Sequence, residues 1–379
     1  MDTTPVQPHA RRRWLIASLT AAFVLGTMAL QAASPASAGP ATTAVAGAAA
    51  TTTAKTPTRQ ELDQADRVPM SEVIAKAVPS RPPTFTRPLP GRLDAPEVEG
   101  PTQRFDGAAP RAGSTPDAGG PTDPAGLAAA QVTGSVWPGG YNRNPNRQIG
   151  KLYYDTLPGP RVSWNVCSGT AINTANKSLV MTAGHCVYNS DPDGNGRVDG
   201  NGYYYEDFRF CPGFESTCKL GVWYYRLGDT TPSWYHGVGA ARTYDWSDDV
   251  AVLVMKRNPS GYLVNVVGGQ GITFNEPVNQ VRTAMGYPAP DPRFPYYYNG
   301  LDLIYCQGTD SLAASRTKVW LPCRMTGGSS GGPWLSWVNN SWLGYVNSVN
   351  SHKPYGAEYM EGPYFGGAEA NLFRRYRSA

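Results

Sequence analysis

The sequence of 379 residues predicts an all-β domain from Val132 to the C-terminus, preceded by an N-terminal segment without a core of its own. From Val132 onward, short aromatic and β-branched runs alternate with glycine, asparagine, aspartate and proline, which is typical of strands separated by turns. Before Val132, the chain is rich in alanine, threonine and proline, and such a composition buries too little apolar surface to offset chain entropy. The sequence thus divides into residues 1–38, 39–131 and 132–379.

Residues 1–38 have the features of a secretory signal peptide. Three arginines at 11–13 precede a mostly apolar stretch from Trp14 to Leu30, and Ala36-Ser37-Ala38 is a small-residue cleavage site. A membrane anchor is the alternative, although polar and small residues interrupt the apolar stretch. The arginines leave both the Sec and the twin-arginine export routes open. We therefore expect a secreted, extracellular protein with no stable membrane insertion after signal cleavage.

Residues 39–131 are predicted to be a pro-segment or linker that is largely disordered. The exception is Arg59 to Val78, which has helical character. Two interpretations of this stretch stay open: an inhibitory or chaperoning propeptide that contacts the folded domain, or a spacer.

The domain from Val132 to the C-terminus is predicted to be a β-barrel or sandwich. A helical pattern appears near its end, from Ala368 to Tyr376. The runs that predict strands are Val162 to Ile172, Leu179 to Thr182, Val222 to Leu227, Val250 to Met255, Leu301 to Tyr305, Lys318 to Leu321 and Trp342 to Val349.

Two short motifs place a cysteine on a strand and a second cysteine beside a histidine. Cys167 lies in Cys-Ser-Gly-Thr-Ala-Ile, and Cys186 follows His185 in Thr-Ala-Gly-His-Cys. The six cysteines are even in number, and in an exported protein this indicates disulfides. A Cys167–Cys186 bond would clamp the loop that carries His185, and a general base must be held within reach of its nucleophile.

Two further motifs supply an acid and a nucleophile. Asp249 opens the apolar run Val-Ala-Val-Leu, where a buried carboxylate can hold an imidazole in one tautomer. Ser330 lies in Gly-Gly-Ser-Ser-Gly-Gly-Pro, where glycines allow a sharp turn and let backbone N–H groups point at one oxygen. Asp248 and Ser329 are the competing neighbours, and a structural role in the core is the alternative for His185.

In the chain order His, Asp, Ser, these motifs resemble the signatures of the chymotrypsin/trypsin superfamily of serine endopeptidases. The bacterial secreted branch that includes glutamyl endopeptidases is similar also in Met285-Gly286-Tyr287-Pro288. The resemblance covers the chain from about Val132 and implies two packed antiparallel β-barrels with the active site between them. It favours Asp249 over Asp248 and Ser330 over Ser329, because these residues hold the motif positions.

The resemblance implies roles for each residue. Ser330 attacks the peptide carbonyl, His185 takes its proton, Asp249 orients His185, and the N–H groups of Gly328 and Ser330 form the oxyanion hole. Animal members carry an aspartate where this chain has Ser329, and that aspartate switches on their zymogens. We therefore expect a different activation, with removal of a propeptide as the hypothesis. Of the remaining cysteines, Cys211–Cys218 would close a small loop and Cys306–Cys323 would then join the other two, but six cysteines permit 15 connectivities and the pairing of these four stays open.

Specificity is left open by the sequence. Arg324 lies near the expected floor of the primary pocket, where a cation would favour acidic residues; a solvated loop arginine is the alternative. Glutamyl endopeptidases use a histidine on the strand aligned with Gly344 to Asn347, and Val346 is the corresponding residue here. His236 and His352 are interpreted as surface or structural residues.

The stretch Asp191 to Asp199 matches several positions of a calcium loop of the EF-hand type. Asp191, Asp193, Asn195 and Asp199 could surround one cation, but position 12 is Gly202 instead of glutamate. A β-turn insertion is the alternative. Calcium is thus a tentative ligand, and catalysis is expected to require no cofactor.

The formal net charge of +4 is small, and no basic run follows residue 13, so nucleic-acid binding is not expected. We expect a monomer that acts on protein or peptide substrates. The competing functions are a non-catalytic trypsin-like binding module and an esterase that uses the same triad.

Overall fold

In a computed structural model, the structure describes residues 53–80, 101–111, 132–157, 162–237, 242, 246–292, 298–313, 317–336, 338–354 and 357–379. The predicted signal peptide lies outside the described residues. The helices are α1 (Arg59–Arg67), α2 (Met70–Lys76), α3 (Pro232–His236), α4 (Leu263–Val267) and α5 (Gly367–Tyr376). The strands up to the middle of the chain are β1 (Val78–Pro79), β2 (Gln103–Phe105), β3 (Ser135–Val136), β4 (Ile149–Asp155), β5 (Trp164–Ile172), β6 (Leu179–Thr182), β7 (Tyr188–Asn189), β8 (Tyr203–Tyr204), β9 (Glu206–Pro212), β10 (Trp223–Thr230) and β11 (Ala251–Met255). The later strands are β12 (Gly271–Phe274), β13 (Val281–Gly286), β14 (Ile304–Thr309), β15 (Ser311–Leu312), β16 (Lys318–Pro322), β17 (Pro333–Ser336), β18 (Tyr345–Val349) and β19 (Tyr359–Pro363).

Six antiparallel strands close the first barrel. They follow the order β5, β4, β9, β10, β11 and β6, and β6 pairs back with β5. In the register, Leu152 is opposite Cys167 and Val252 is opposite Met181. Strand β11 is buried along its whole length, as its unbroken apolar run predicts.

The second barrel is built from two sheets that share one core. Strands β12, β18, β17, β13 and β14 form the larger sheet, and β15, β16 and β19 form the smaller one. Their side chains meet in a cluster that includes Ala284, Ile304, Leu321 and Trp334. Helix α5 closes the chain, and its Glu369 Oε2 accepts a hydrogen bond from Gly366 N at 2.9 Å. The predicted all-β fold of two packed barrels with a C-terminal helix is confirmed.

The N-terminal segment, defined here as residues 53–80 and 101–111, packs on both barrels. Val73 of α2 is fully buried in the core of the first barrel. Strand β1 pairs in parallel with β5, and β2 pairs antiparallel with β12 of the second barrel. Arg59 to Val78 is mostly helical, as predicted, whereas the contacts of residues 101–111 were not expected from the sequence.

Several strands bury charged side chains as ion pairs. On β9, Arg209 Nη2 lies 2.6 Å from Asp207 Oδ2, and both side chains are almost fully buried. On β13, Arg282 lies 2.6 Å from Glu276 and 3.0 Å from Asp310. A buried charge is tolerated only when it is paired and hydrogen-bonded, so each strand depends on its partners.

Every predicted strand run overlaps an observed strand, and α5 matches the predicted helix. The strands that no predicted run covers are β1, β2, β3, β4, β7, β8, β9, β12, β13, β15, β17 and β19. The expected Cys167–Cys186 disulfide is formed, and the cysteines whose pairing the sequence left open form Cys211–Cys218 and Cys306–Cys323. Among the described residues, no helix has both the length and the apolar character that crossing a membrane requires.

Candidate active site

His185 lies on a short turn directly after β6 of the first barrel. The turn is a 3-10 helix from Gly184 to Cys186, and the Cys167–Cys186 disulfide ties it to β5. The histidine side chain is 6% exposed, and its ring is near the indoles of Trp234 and Trp246, at 6.4 and 6.1 Å between centroids. The clamp inferred from the sequence is therefore present, and aromatic packing further limits where the imidazole can lie.

Asp249 is the acidic residue that contacts His185. It is fully buried where the chain enters β11, and its Oδ2 lies 2.8 Å from His185 Nδ1. Its Oδ1 accepts a hydrogen bond from the backbone N–H of His185 at 2.8 Å. The carboxylate thus holds both the ring and the backbone of the same histidine.

The charge state of Asp249 follows from its partners. Burial alone would raise the pKa of this carboxyl, but His185 and the hydrogen bonds that the carboxylate accepts outweigh burial and hold the pKa below its ordinary value. One of these bonds comes from Ser351 Oγ, which donates to Oδ2 at 2.6 Å. An ionised Asp249 keeps the proton of His185 on Nδ1 and leaves Nε2 free to accept one.

The alternative acid, Asp248, has other contacts. Its carboxylate accepts a hydrogen bond from Ser233, and its carbonyl oxygen accepts one from Thr231. The buried Glu369 of α5 also interacts with Asp248, which raises the pKa of Glu369 after the larger effect of burial. Asp248 therefore joins α3 and α5 near the site.

Ser330 lies on a tight turn of the second barrel that rests on the first. Its carbonyl oxygen accepts a hydrogen bond from Ser168 N at 2.7 Å, and Ser168 is the neighbour of Cys167 on β5. A Cβ atom at Gly331, which has φ +79°, would collide with Thr182 and Ser168. The turn that carries Ser330 is therefore in direct contact with the strands that lead to His185. The Nε2 atom of His185 is buried and forms no hydrogen bond to a described residue, and such bonds often tighten only when substrate binds.

The neighbouring Ser329 has a different role. Its hydroxyl donates to the carbonyl oxygen of Thr326 at 2.8 Å, and its own carbonyl accepts from Asn350 Nδ2 at 2.9 Å. Both contacts lie within the second barrel. Ser329 thus stabilises the turn on which Ser330 lies.

Gly328, a predicted oxyanion-hole residue, has a left-handed backbone conformation. Its φ is +92°, and a Cβ atom there would lie 2.8 Å from the carbonyl oxygen of Tyr287, so no other residue fits without strain. Ser168 Oγ donates to the Gly328 carbonyl at 2.9 Å and accepts from Tyr287 N at 3.0 Å. Ser168 Oγ therefore fixes the peptide between Gly328 and Ser329, while the Gly327 carbonyl, in the peptide that bears the Gly328 N–H, accepts a hydrogen bond from Ala289 N at 2.9 Å.

Two residues beside the site were not predicted from the sequence. Ser351 bonds Asp249, and the ring of His352 lies 4.4 Å from that of Trp246 while its Nε2 is 3.2 Å from Glu361 Oε2. Burial lowers the pKa of His352. The structural interpretation of His352 fits this packing. No sequence signal marks Ser351, because its contact depends on a strand that returns to the site from the other barrel.

The predicted pocket residues do not present a free cation. The guanidinium of Arg324 forms an ion pair with Glu358, and its carbonyl oxygen accepts a hydrogen bond from Lys353. Val346 is fully buried within β18, opposite Ile272 and Leu335. The loop interpretation of Arg324 is the one that these contacts favour.

The stretch from Asp191 to Asp199 forms a loop stabilised by its own hydrogen bonds. The carboxylate of Asp191 accepts from Asn195 N at 3.0 Å and from Gly196 N at 2.8 Å. Asn195 Nδ2 donates to Asp193 and Asp199, at 2.9 and 3.2 Å. Calcium binding here stays a prediction. Among the described residues, the group with metal-ligand spacing is Cys167, His185 and Cys186, and its two sulfurs form a disulfide.

Solved structures similar to this fold include two proteases. Protease Anisep from Arthrobacter nicotinovorans is 33% identical, with a TM-score of 0.51; the match covers 62% of this chain and 97% of that one. The thermostable serine protease AL20 from an extremophilic microorganism is 30% identical, also with a TM-score of 0.51, and the match covers 62% of this chain and 98% of that one. No protein-family model matches the sequence, and no curated protein matches it significantly. With the two-barrel fold and these relatives, the chain belongs to the serine endopeptidases of the chymotrypsin/trypsin superfamily.

Proposed function

We propose that the protein is a secreted serine endopeptidase that uses His185, Asp249 and Ser330 as its catalytic triad. The observation that carries the proposal is the 2.8 Å contact between His185 Nδ1 and Asp249 Oδ2, beside the glycine turn of Ser330, in which Gly331 has φ +79°. A buried carboxylate that contacts Nδ1 of a histidine is the arrangement that orients an imidazole as a general base. The three disulfides and the predicted signal peptide support export.

The geometry supports a two-step reaction. Ser330 Oγ attacks the carbonyl carbon of the peptide bond, and His185 Nε2 takes the hydroxyl proton. Asp249, ionised and fully buried, stabilises the imidazolium that forms. His185 then returns the proton to the leaving amine, which departs and leaves an acyl group on Ser330. Water, activated by the same histidine, hydrolyses this ester.

The oxyanion hole lowers the barrier for both steps. In the tetrahedral intermediate the carbonyl oxygen becomes negative, and the N–H groups of Gly328 and Ser330 donate to it. The hydrogen bond from Ala289 N to the Gly327 carbonyl, at 2.9 Å, holds the peptide that bears the Gly328 N–H before substrate arrives, so little reorganisation is needed during the reaction.

A fluorophosphonate probe tests the proposal, since it labels an activated serine without requiring a known substrate. We expect the processed protein to be labelled, and Ser330→Ala to abolish labelling and to lower peptide turnover by about 10⁶-fold. The matched control is Ser329→Ala, which removes the adjacent hydroxyl and should keep labelling within several-fold of the unsubstituted protein. Labelling that persists in Ser330→Ala, or its absence from both proteins, would rule out the proposed nucleophile.

A further inference from the structure

The N-terminal segment reaches the proposed oxyanion hole through residues 78–80, defined here as the blocking strand. Val78 is opposite Asn165 and Pro79 is opposite Val166, so the strand adds to the edge of β5. Ser80 N donates to the Val166 carbonyl at 2.9 Å, and the Ser80 residue is 5% exposed. Val78 is exposed at the start of the blocking strand, and the strand becomes buried at Ser80, next to the segment of β5 that carries Cys167 and Ser168.

The carbonyl oxygen of Ser80 accepts a hydrogen bond from the N–H of Gly328, at 3.3 Å. This N–H is one of the two donors assigned above to the oxyanion. Since one N–H donates one good hydrogen bond, a substrate carbonyl and the Ser80 carbonyl cannot both use it. The Ser80 carbonyl also excludes a substrate carbonyl sterically, because two oxygens cannot occupy the same position.

We propose that the blocking strand is a built-in inhibitor, which keeps the enzyme latent by occupying the oxyanion hole with the Ser80 carbonyl. The inference rests on the proposed function and adds how that site is regulated. It assigns the latency to a backbone carbonyl group of the chain itself. This device replaces the switch that the Ser329 position cannot supply, because serine offers no charge for a new N-terminal amine.

The blocking strand is anchored upstream by buried contacts with the first barrel. The Glu61 carboxylate accepts a hydrogen bond from Tyr225 and lies 3.1 Å from Lys55. Arg209 Nη1 donates to the Val68 carbonyl at 2.7 Å, and Val73 is fully buried. These contacts raise the local concentration of the Ser80 carbonyl at the site, in the way that a short linker does for a tethered ligand.

A second anchor lies downstream on the other barrel. Strand β2 pairs with β12, and Ala108 and Gly269 exchange backbone hydrogen bonds, both at 2.8 Å. The N-terminal segment is thus attached to each barrel independently. A single cut between residues 81 and 100 would leave Ser80 in place, so activation requires that residues 53–80 be displaced or degraded.

The test compares labelling rates of unprocessed and processed protein in one sample. Full-length chain is treated briefly with an unrelated metalloprotease, which fluorophosphonates do not label, and the label on each species is followed by intact mass. One blocked oxyanion donor should slow labelling of the unprocessed species by about 100-fold. Equal rates for the two species would overturn the inference while leaving the proposed function intact. If the processed species is not labelled, the proposed function itself fails.

A variant pair tests the blocking strand directly. Ser80→Pro removes the N–H that bonds Val166, and should speed labelling of the unprocessed chain several-fold. Ser80→Ala keeps both the N–H and the carbonyl, and should stay as latent as the unsubstituted chain. If Ser80→Pro does not fold, the labelling rates of the unprocessed and processed chains still test the inference. Cleavage between Ser80 and Arg81 as fast as labelling would identify the strand as a substrate instead, and would overturn the inference.

Discussion

Replacing Asp249 by asparagine changes one oxygen atom and tests how the site positions His185. In one orientation, the new amide oxygen keeps the bond from His185 N, and its NH₂ group replaces Oδ2. That NH₂ can donate to His185 Nδ1 and to Ser351 Oγ, which lie 2.8 and 2.6 Å from Oδ2. Every group is then satisfied, but the ring proton must move to Nε2, where it prevents His185 from accepting the proton of Ser330.

The opposite orientation of the new amide keeps the proton of His185 on Nδ1, but it leaves a buried donor without an acceptor. The oxygen faces Nδ1, and the NH₂ group then meets the backbone N–H of His185, 2.8 Å from Oδ1. A buried donor left without an acceptor costs about 1–3 kcal/mol, so the wrong tautomer dominates. The imidazolium also loses its negative partner. Together these effects predict a fall in kcat of about 10³–10⁴-fold, with little change in the folded structure.

The measurement is turnover of a labelled, denatured protein substrate by processed enzyme. The matched control is Asp248→Asn, which makes the same substitution one residue earlier, at a carboxylate that bonds Ser233. We expect the control to keep turnover within about threefold, since its free-energy effect should be that of an ordinary polar contact. A loss below tenfold in Asp249→Asn, or equal losses in both variants, would refute the assignment of Asp249.

Two further predictions concern stability. Burial lowers the pKa of Lys151 to about 8, so the charge of Lys151 opposes folding at neutral pH. We therefore expect Lys151→Met to raise the free energy of unfolding in urea by about 1–3 kcal/mol. The control is Lys219→Met, at an exposed lysine over the ring of Tyr141, which should leave that free energy unchanged. Burial opposes ionisation of Glu361, but His352 and Lys318 prevail and lower its pKa to about 2. The ionised Glu361 side chain stabilises the fold above the unfolded pKa near 4.5, and this stabilisation is lost as the pH falls toward 2. We therefore expect Glu361→Gln to reduce, by about 2 kcal/mol, the loss of unfolding free energy that thermal unfolding measures between pH 4.5 and pH 2. The control, Glu358→Gln at an exposed carboxylate, should leave this pH dependence unchanged. A destabilised Lys151→Met, or an unchanged pH dependence in Glu361→Gln, would contradict these expectations.

The sequence predicted the fold class because the strands that carry the motifs are strongly apolar. Strand β11, Ala-Val-Leu-Val-Met, is buried throughout and was recognised from its composition alone. Strands β9 and β13 were missed because Arg209 and Arg282 interrupt the apolar pattern. Arg209 pairs with Asp207 on the same strand, whereas Arg282 pairs with Asp310, which is far along the chain and is not revealed as a partner by the local sequence.

The candidate site shows the same limit. His185, Asp249 and Ser330 lie in motifs whose residue types and spacing carry chemical meaning. Ser351 and Ser80 lie in no such motif, and each acts through a contact between distant parts of the chain, with Asp249 and with Gly328. Local pattern therefore indicates which groups react, and only the folded chain shows which groups hold or cover them.

Ser168 connects the two barrels by hydrogen bonds. It belongs to β5 of the first barrel, yet its backbone N–H holds the Ser330 carbonyl and its hydroxyl holds the Gly328 carbonyl in the second. A sliding movement between the barrels would move the proposed nucleophile, Ser330, and the proposed oxyanion donor, the Gly328 N–H, away from His185 together. The position of Ser330 and Gly328 relative to His185 therefore depends on how rigidly the interface between the two barrels is held.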